Sequence, residues 1–264
     1  MDKILIKNLS FSYRPELDVL KEINLTFNHS PTAIIGQNGA GKTTFVKLLK
    51  GLLSPTQGDI FIKGKNTKNY SAARLAKDIG LVFQNPNDQI FKNTVLDEVM
   101  FGPLNLELCF EKAQKNSLEA LRLVKIEDKI KKNPYDLSLA ERKLIGIASV
   151  LAMDPDIVIF DEPTIAQDSQ GVELIKAIIK DLNSKGKLVI SITHDMDFVA
   201  DCFSRVIVFQ KGKIALDGTT EMIFSQSKIL RSSFLEPPHL TQLGQKLALK
   251  NTILTIEQLV KNYR

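Results

Sequence analysis

Tryptophan is absent from this chain of 264 residues, and cysteine occurs only twice, at Cys109 and Cys202. The two thiols are isolated and lack metal-ligand spacing, so a cysteine-built metal site is excluded and buried thiols are expected. No run of about 18 apolar residues occurs, so no segment is expected to span a bilayer. The amino terminus, Met1 to Phe11, opens as a strand and has no secretory hydrophobic region, which points to the cytoplasm. Basic residues are not interleaved with aromatics and no nucleic-acid motif is found, so nucleic acid is not an expected partner. Acidic residues are scarce at the C-terminal end: residues 226–264 hold six Lys/Arg and two Asp/Glu, a net of +4 within the chain's total of +5. A basic tail suits an anionic lipid surface or an acidic partner. Against these absences, 44% hydrophobic residues over this length can bury one large α/β core with small additions.

Residues 36–43, GQNGAGKT, fit the phosphate-binding pattern GxxxxGK[ST]. The apolar stretch Thr32-Ala33-Ile34-Ile35 before them reads as a buried strand, and Lys42 to Leu49 as the helix that follows. Glycines in the run Gly36, Gln37, Asn38, Gly39, Ala40, Gly41 let the backbone curl with its N–H groups inward. The helix N-terminus adds partial positive charge, so the loop cradles phosphates. Lys42 is expected to reach the β- and γ-phosphates, and the Thr43 hydroxyl to ligate Mg2+. Farther on, Ile157-Val158-Ile159-Phe160 reads as a central parallel strand ending in Asp161-Glu162, at the carboxyl edge where ligands sit in such sheets. Two adjacent carboxylates can divide the labour there, Asp161 on the metal and Glu162 positioning and deprotonating the attacking water. Alone, such a pair usually marks a solvated strand end. A second buried strand, Leu188 to Ile192, delivers Thr193-His194-Asp195 to the same edge, making His194 a candidate γ-phosphate sensor.

In this order and spacing the motifs resemble those of the ATP-binding cassette (ABC) ATPases, over almost all of residues 1–235. The resemblance implies an α/β P-loop NTPase fold of the ABC ATPase kind, with an antiparallel β-subdomain, a helical subdomain insert and a small C-terminal helical extension. It implies ATP and Mg2+ as ligands, held by residues 36–43 and Thr44. Tyr13, about 23 residues before Gly36, takes the place of the adenine-stacking aromatic, the alternative being a half-buried strand tyrosine. Gln84, at the end of the apolar strand Ile79 to Phe83, matches the Q-loop glutamine that senses Mg2+ and attacking water. Asp168 matches the D-loop aspartate, and His194 the switch histidine. Several strings are similar to those of the ATPases of energy-coupling factor (ECF) importers of vitamins and metals: Gln84 to Phe91, Phe101-Gly102-Pro103, Leu235-Glu236-Pro237-Pro238 and Leu240 to Leu243.

ABC ATPases work as face-to-face pairs, with ATP clamped between the P-loop of one subunit and the LSGGQ signature of the other. Where that signature is expected, about 100 residues past the P-loop, this chain has Leu137-Ser138-Leu139-Ala140-Glu141. The resemblance keeps Ser138 as a nucleotide-contacting residue. Leu139 and Ala140, however, bring side chains where two glycines let the backbone approach the γ-phosphate. Glu141 replaces a neutral glutamine with a carboxylate, at an upper cost of about 4 kcal/mol per close charge pair at an effective dielectric of about 20, less if it turns to solvent or toward Arg142 and Lys143. The alternative is tolerated drift in a helix N-terminus, with Ser138 capping a helix that runs to Met153. The expectation is a heterodimer. This chain's P-loop, Glu162 and His194 meet an intact signature on a second, non-identical ABC ATPase subunit, while segment 137–141 faces a slow or silent site.

Residues 3–27, with Ile60 to Ile62, alternate apolar and polar and suggest the antiparallel subdomain. The nucleotide core is split, about 28–84 and 154–220, around a helical insert of about 92–153. The insert contains the amphipathic stretch Phe110 to Val124, apolar at 113, 118, 121 and 124. The expected organisation is an ABC ATPase domain over 1–235 and a helical extension over 236–264, with helical spacing at Leu240, Leu243 and Leu247 and again at Ile253, Ile256, Leu259 and Val260. By resemblance, the extension joins two ATPases, and Asn85 to Val95 with Phe101 to Pro103 receive a coupling helix of a transmembrane subunit. A substrate-binding membrane subunit completes the assembly at the cytoplasmic face of the cell membrane. For Ile90, Phe91 and Phe101 the alternative is ordinary core packing. Two rival classes are a non-transport ABC ATPase acting on nucleic acid or ribosomes and a mainly regulatory nucleotide-binding subunit. The first lacks its long coiled coil or second cassette here, and the second is disfavoured by Glu162 and His194.

Overall fold

The longest apolar runs become neighbouring strands of one sheet. The structure is a computed structural model that describes residues 2–263; Met1 and Arg264, at the ends of the expected domain ranges, lie outside the described residues. β1 (Ile4–Ser12) and β2 (Asp18–Phe27) form a hairpin, and β3 (Thr32–Gly36) leads into α1 (Lys42–Leu49). β4 (Gln57–Ile62), the short β5 (Lys65–Asn66), α2 (Ala72–Leu75) and β6 (Ile79–Val82) follow. The insert is carried by α3 (Val95–Asn105), α4 (Phe110–Leu123) and α5 (Leu139–Leu151). The chain then alternates β7 (Ile157–Asp161), α6 (Ser169–Ser184), β8 (Leu188–Ile192) and α7 (Met196–Cys202), and turns through the hairpin β9 (Arg205–Gln210) and β10 (Lys213–Thr219). Short helices α8 (Thr220–Ser225), α9 (Ser227–Ser232), α10 (His239–Lys246) and α11 (Ile256–Tyr263) follow.

The main sheet has the order β10-β9-β3-β8-β7-β6, parallel throughout except for the β9/β10 hairpin. β3, β7 and β8 are buried along their whole length, which is why their sequences run apolar without alternation. Successive side chains nevertheless point to opposite faces. Ile34, Ile157 and Ile159 pack with Phe45 of α1 and with Ile4, Leu9, Leu20 and Ile23 of the antiparallel sheet β2-β1-β4-β5. Ala33, Ile35, Val158 and Phe160 face the other way, onto Ile145 and Ile147 of α5 and Ile175 and Ile178 of α6. Each large apolar side chain buried in these two cores contributes about 1.5–3 kcal/mol. The α/β class and the antiparallel subdomain expected from the pattern are therefore present.

Register brings the functional ends of the strands level. Ile192 of β8 pairs with Ile34 of β3 on one side and with Asp161 of β7 on the other, so the loops after all three leave from one edge. Some local expectations are corrected. β6 ends at Val82, leaving Phe83 beyond the strand, and α5 stops at Leu151 with Ala152 as its C-cap. Of the apolar positions expected on α4, Ala113, Leu121 and the C-cap Val124 are buried and Leu118 is half-buried, and Ser117 and Ala120 complete the stripe because the helical period aligns 113 with 117 and 120. Cys109 is not a buried thiol but an exposed N-cap of α4; only Cys202 is partly buried, and its burial pushes the thiol up to about 12. Among the described residues no helix is long and apolar enough to cross a membrane.

Candidate functional site

The P-loop backbone is shaped by two close approaches. Gly36 has φ +154°, and a Cβ there would sit 2.4 Å from the Phe209 carbonyl oxygen; Gly41 has φ +101°, and its Cβ would meet Leu20 Cδ2 at 2.6 Å. Gly41 is also the N-cap of α1 and carries no side chain to cap it, so the first N–H groups of that helix face the cavity with the dipole behind them. Lys42 is buried, and its Nζ donates to the carbonyls of Gly36 at 2.5 Å and Gln37 at 3.1 Å. Burial holds the Lys42 ammonium below the ordinary lysine value, opposed by the nearby Glu162 and Asp161.

The edge of β7 supplies the acids. Asp161 and Glu162 are only 8% and 6% exposed, and Glu162 has a left-handed backbone at φ 47°, a conformation that a non-glycine residue adopts at a cost. Its N–H is tied to the Ile192 carbonyl at 2.8 Å, which fixes that turn to β8. Burial raises the pKa of Asp161, reinforced by the Glu162 charge; burial also raises that of Glu162, against hydrogen bonds from the His194 N–H and the Thr193 hydroxyl. His194 N donates to Glu162 Oε2 at 3.3 Å, and His194 Nε2 lies 3.3 Å from Oε1. Burial and Lys42 push the imidazole below its ordinary pKa, which disfavours the charged form that an ion pair with Glu162 requires.

A cavity of about 330 Å3 gathers Asn38, Gly39, Ala40, Gly41, Lys42, Thr43, Thr44, Gln84, Asp161, Glu162 and His194. Val19, Ile165 and Ile192 line it as well. They were missed in the sequence because an apolar residue in a strand or turn carries no motif. Tyr13 lies one residue beyond β1, not within it, and is 53% exposed with its hydroxyl 3.3 Å from Thr44 Oγ1. Its ring stands edge-on to Phe11 at 4.9 Å, on the wall of an adjoining, larger cavity of about 640 Å3. Ser138 and Asp168 are not in the smaller cavity; both are exposed helix N-caps, Asp168 accepting from Gly171 N at 2.8 Å.

The altered signature is engaged with its own subunit. Ser138 and Glu141 form a capping box: Glu141 N donates to Ser138 Oγ at 3.3 Å, and Ser138 N and Oγ donate to Glu141 Oε2 at 2.8 and 2.7 Å. The other carboxylate oxygen pairs with Lys129, and these contacts, Lys129 first, hold Glu141 down to about 2. This corrects the expected partners of Glu141. Arg142 instead donates to Asn87 Oδ1 at 2.8 Å, and Lys143 is buried under the sheet edge. The Glu141 carboxylate is thus offset by a lysine, and the full repulsion expected of a bare carboxylate does not apply. Leu139 is 42% exposed, and the Ala140 carbonyl accepts from Gln167 Nε2 of the loop before α6 at 3.1 Å.

Where the insert begins, Ile90 is core, but Phe91 and Phe101 are exposed, packed edge to face at 4.7 Å with Lys92 Nζ 4.7 Å from the Phe101 ring centre. Buried Glu98 holds this turn by accepting from the Phe91 and Lys92 N–H groups at 2.9 and 2.8 Å. The two aromatics border a groove of about 430 Å3.

A parallel sheet that presents a P-loop, a buried acid pair and a histidine at one edge defines a P-loop nucleoside triphosphatase. Residues 20–165 match the family model described as ABC transporter. The chain is 40% identical over 250 residues to the energy-coupling factor transporter ATP-binding protein EcfA of Methanocaldococcus jannaschii, covering 94% of this chain and 90% of that one. It is 36% identical over 273 residues to EcfA2 of Streptococcus thermophilus, covering 98% of each. Among solved structures, cbiO1 of Clostridium perfringens, described as part of the ABC transporter complex cbiONQ, superposes with a TM-score of 0.78 at 30% identity, covering 94% of this chain and 99% of that one. The chain belongs to the ABC transporter family, as an ATP-binding ATPase of the energy-coupling factor type.

Proposed function

We propose that this chain is the ATP-hydrolysing subunit of an ECF-type importer of a vitamin or metal micronutrient, working as one half of an ATPase heterodimer at the cytoplasmic face of the membrane. One observation carries the pairing: a complete phosphate cavity coexists with a signature whose serine hydroxyl already donates to Glu141 and whose glycine pair is replaced by Leu139 and Ala140. In the working site, residues 36–44 hold the phosphates and Tyr13 stacks on the adenine. Thr43, Gln84 and Asp161 offer oxygen donors only, beside a second buried carboxylate, which fits a hard cation such as Mg2+. Mg2+, when bound, offsets the charge of the β- and γ-phosphates. Glu162 accepts a proton from the attacking water as its oxygen bonds to the γ-phosphorus and the bond to the β,γ-bridging oxygen breaks, while His194 contacts the γ-phosphate. Asp168 and Ser138, exposed and outside the cavity, make contacts across the interface, where the unlike subunit supplies the intact signature.

Phe91 and Phe101 beside their groove support docking of a coupling helix from a transmembrane subunit, with a substrate-binding membrane subunit completing the complex. Domain 1–235 then carries the ATPase, and 236–264 the permanent pairing. Leu243, Leu247, Ile256 and Val260 on or next to α10 and α11 are exposed, while Ile253 between these helices is buried. The test is to purify the chain alone and with a candidate ATPase that has LSGGQ. Turnover is expected to be about tenfold or more higher in the pair; comparable turnover in the isolated chain contradicts the heterodimer. Deleting 237–264 is expected to split the pair on size exclusion, and a pair that stays intact rules out that role for the tail.

A further inference from the structure

Lys143 is 1% exposed, yet it sits only four residues into α5, the helix that begins at the altered signature. The nearby Glu141 and Arg142 are half-buried and held by Lys129 and Asn87, whereas its own side chain runs under the carboxyl edge of the main sheet. Nζ donates to three main-chain carbonyls: Phe83 at 2.9 Å, Gln84 at 2.8 Å and Asp161 at 3.1 Å. β6 and β7 pair up to Val82 and Phe160. Beyond that point their chains diverge and these carbonyls have left the β6/β7 ladder, so a buried donor is needed there. An ammonium has three N–H groups, and all three are used. Among the described residues no carboxylate lies within ion-pair distance of Nζ, so its contacts are to the backbone that carries Gln84 and Asp161.

We propose that Lys143 is a positioning residue of the hydrolytic centre. It pins Gln84 and Asp161 by their carbonyl groups and so makes their placement depend on that of the signature helix. The assignment rests on the roles given above to Gln84, Asp161 and Glu162. The physical basis is mechanical and electrostatic: displacing α5 drags the ammonium, and with it the two backbone turns that aim Gln84 and Asp161 into the cavity. The ammonium also adds a second positive charge, with Lys42, near the acid pair. Residues that orient others act through small displacements, and a misplacement of about 1 Å costs on the order of a hundredfold in rate.

The test uses whichever assembly hydrolyses ATP, with Glu162→Gln run alongside. Lys143→Met keeps the length and removes the donors. It is expected to lower kcat roughly tenfold to a hundredfold, with KM for ATP and the affinity for a fluorescent ATP analogue within about twofold, because the P-loop contacts are untouched. Lys143→Arg, which restores donors, is expected to recover most of the rate. A purely structural lysine predicts instead a lower melting temperature with normal kcat per folded molecule. Where Lys143→Met does not fold, Lys143→Gln, which is shorter, uncharged and cannot hold all three carbonyls, is expected to lower kcat with KM unchanged in the same way. Normal kcat in the folded variant, while Glu162→Gln abolishes turnover, overturns the role of Lys143 alone. Normal turnover in Glu162→Gln overturns the reading of the whole site and this assignment with it.

Discussion

Glu162→Gln, in the assembly that hydrolyses ATP, is expected to lower kcat by about 10²–10⁴-fold while ATP affinity stays near that of the wild type. The amide is isosteric, so the turn at φ 47° and the hydrogen bond from the His194 N–H survive, and only the proton acceptor is lost. Burial raises the Glu162 pKa above the ordinary value, which brings the base nearer to neutral pH and strengthens it toward water. The sign gives a second readout. As pH falls through that raised value the carboxylate takes a proton, so the wild type loses activity on the acid side, and the variant's residual rate lacks that limb. Phosphate release against pH, with analogue binding as the control, measures both. Wild-type turnover in the variant shows that another group activates the water.

Restoring the signature, with Leu139→Gly, Ala140→Gly and Glu141→Gln together, is expected to awaken the other site. In a Glu162→Gln background this chain's own P-loop is silent, so the residual rate reports the site completed by segment 137–141. That rate is expected to rise about tenfold, corresponding to about 1.4 kcal/mol. The same change carries a stability cost: Ser138 and a glutamine at 141 can still form the capping box, but the ion pair with Lys129 is lost and Ala140→Gly gives up about 1 kcal/mol of helix propensity, which lowers the melting temperature by roughly 2–4 °C in a chain of this size. Glu141 is held down to about 2, so its contribution is complete above the ordinary glutamate value and disappears as pH falls from there through about 2. The stability gap between wild type and variant is therefore expected to shrink over that acid window in thermal melts. An unchanged residual rate assigns the slow site to something other than the signature.

Much of this was legible because the signals are local. A four-residue apolar run such as Ile157 to Phe160 has few options besides a buried parallel strand, and the glycines before Lys42 permit a loop that other residues do not. The antiparallel sheet showed in period-two alternation. Less legible were the directions of individual side chains. Ile90 and Phe91 are adjacent, one core and one surface, and no periodicity in the short turn between them decides it. Cys109 looked like a core thiol by residue type but falls at a helix cap on the surface. Ile165 and Val19 have no motif and came to the cavity only through folding.

The sequence alone determined the ATPase class, the order of motifs along one sheet edge, and the loss of the glycine pair in the signature, since each depends on residue identity at fixed spacing. Which way Glu141 turns and where Lys143 places its ammonium were decided only in three dimensions. Their partners, Lys129 and the carbonyl of Phe83, lie 12 and 60 residues away in the chain. A charged side chain several bonds long settles on whichever donors or acceptors packing brings within about 3 Å. That choice belongs to the assembled sheet and helices, not to the local string.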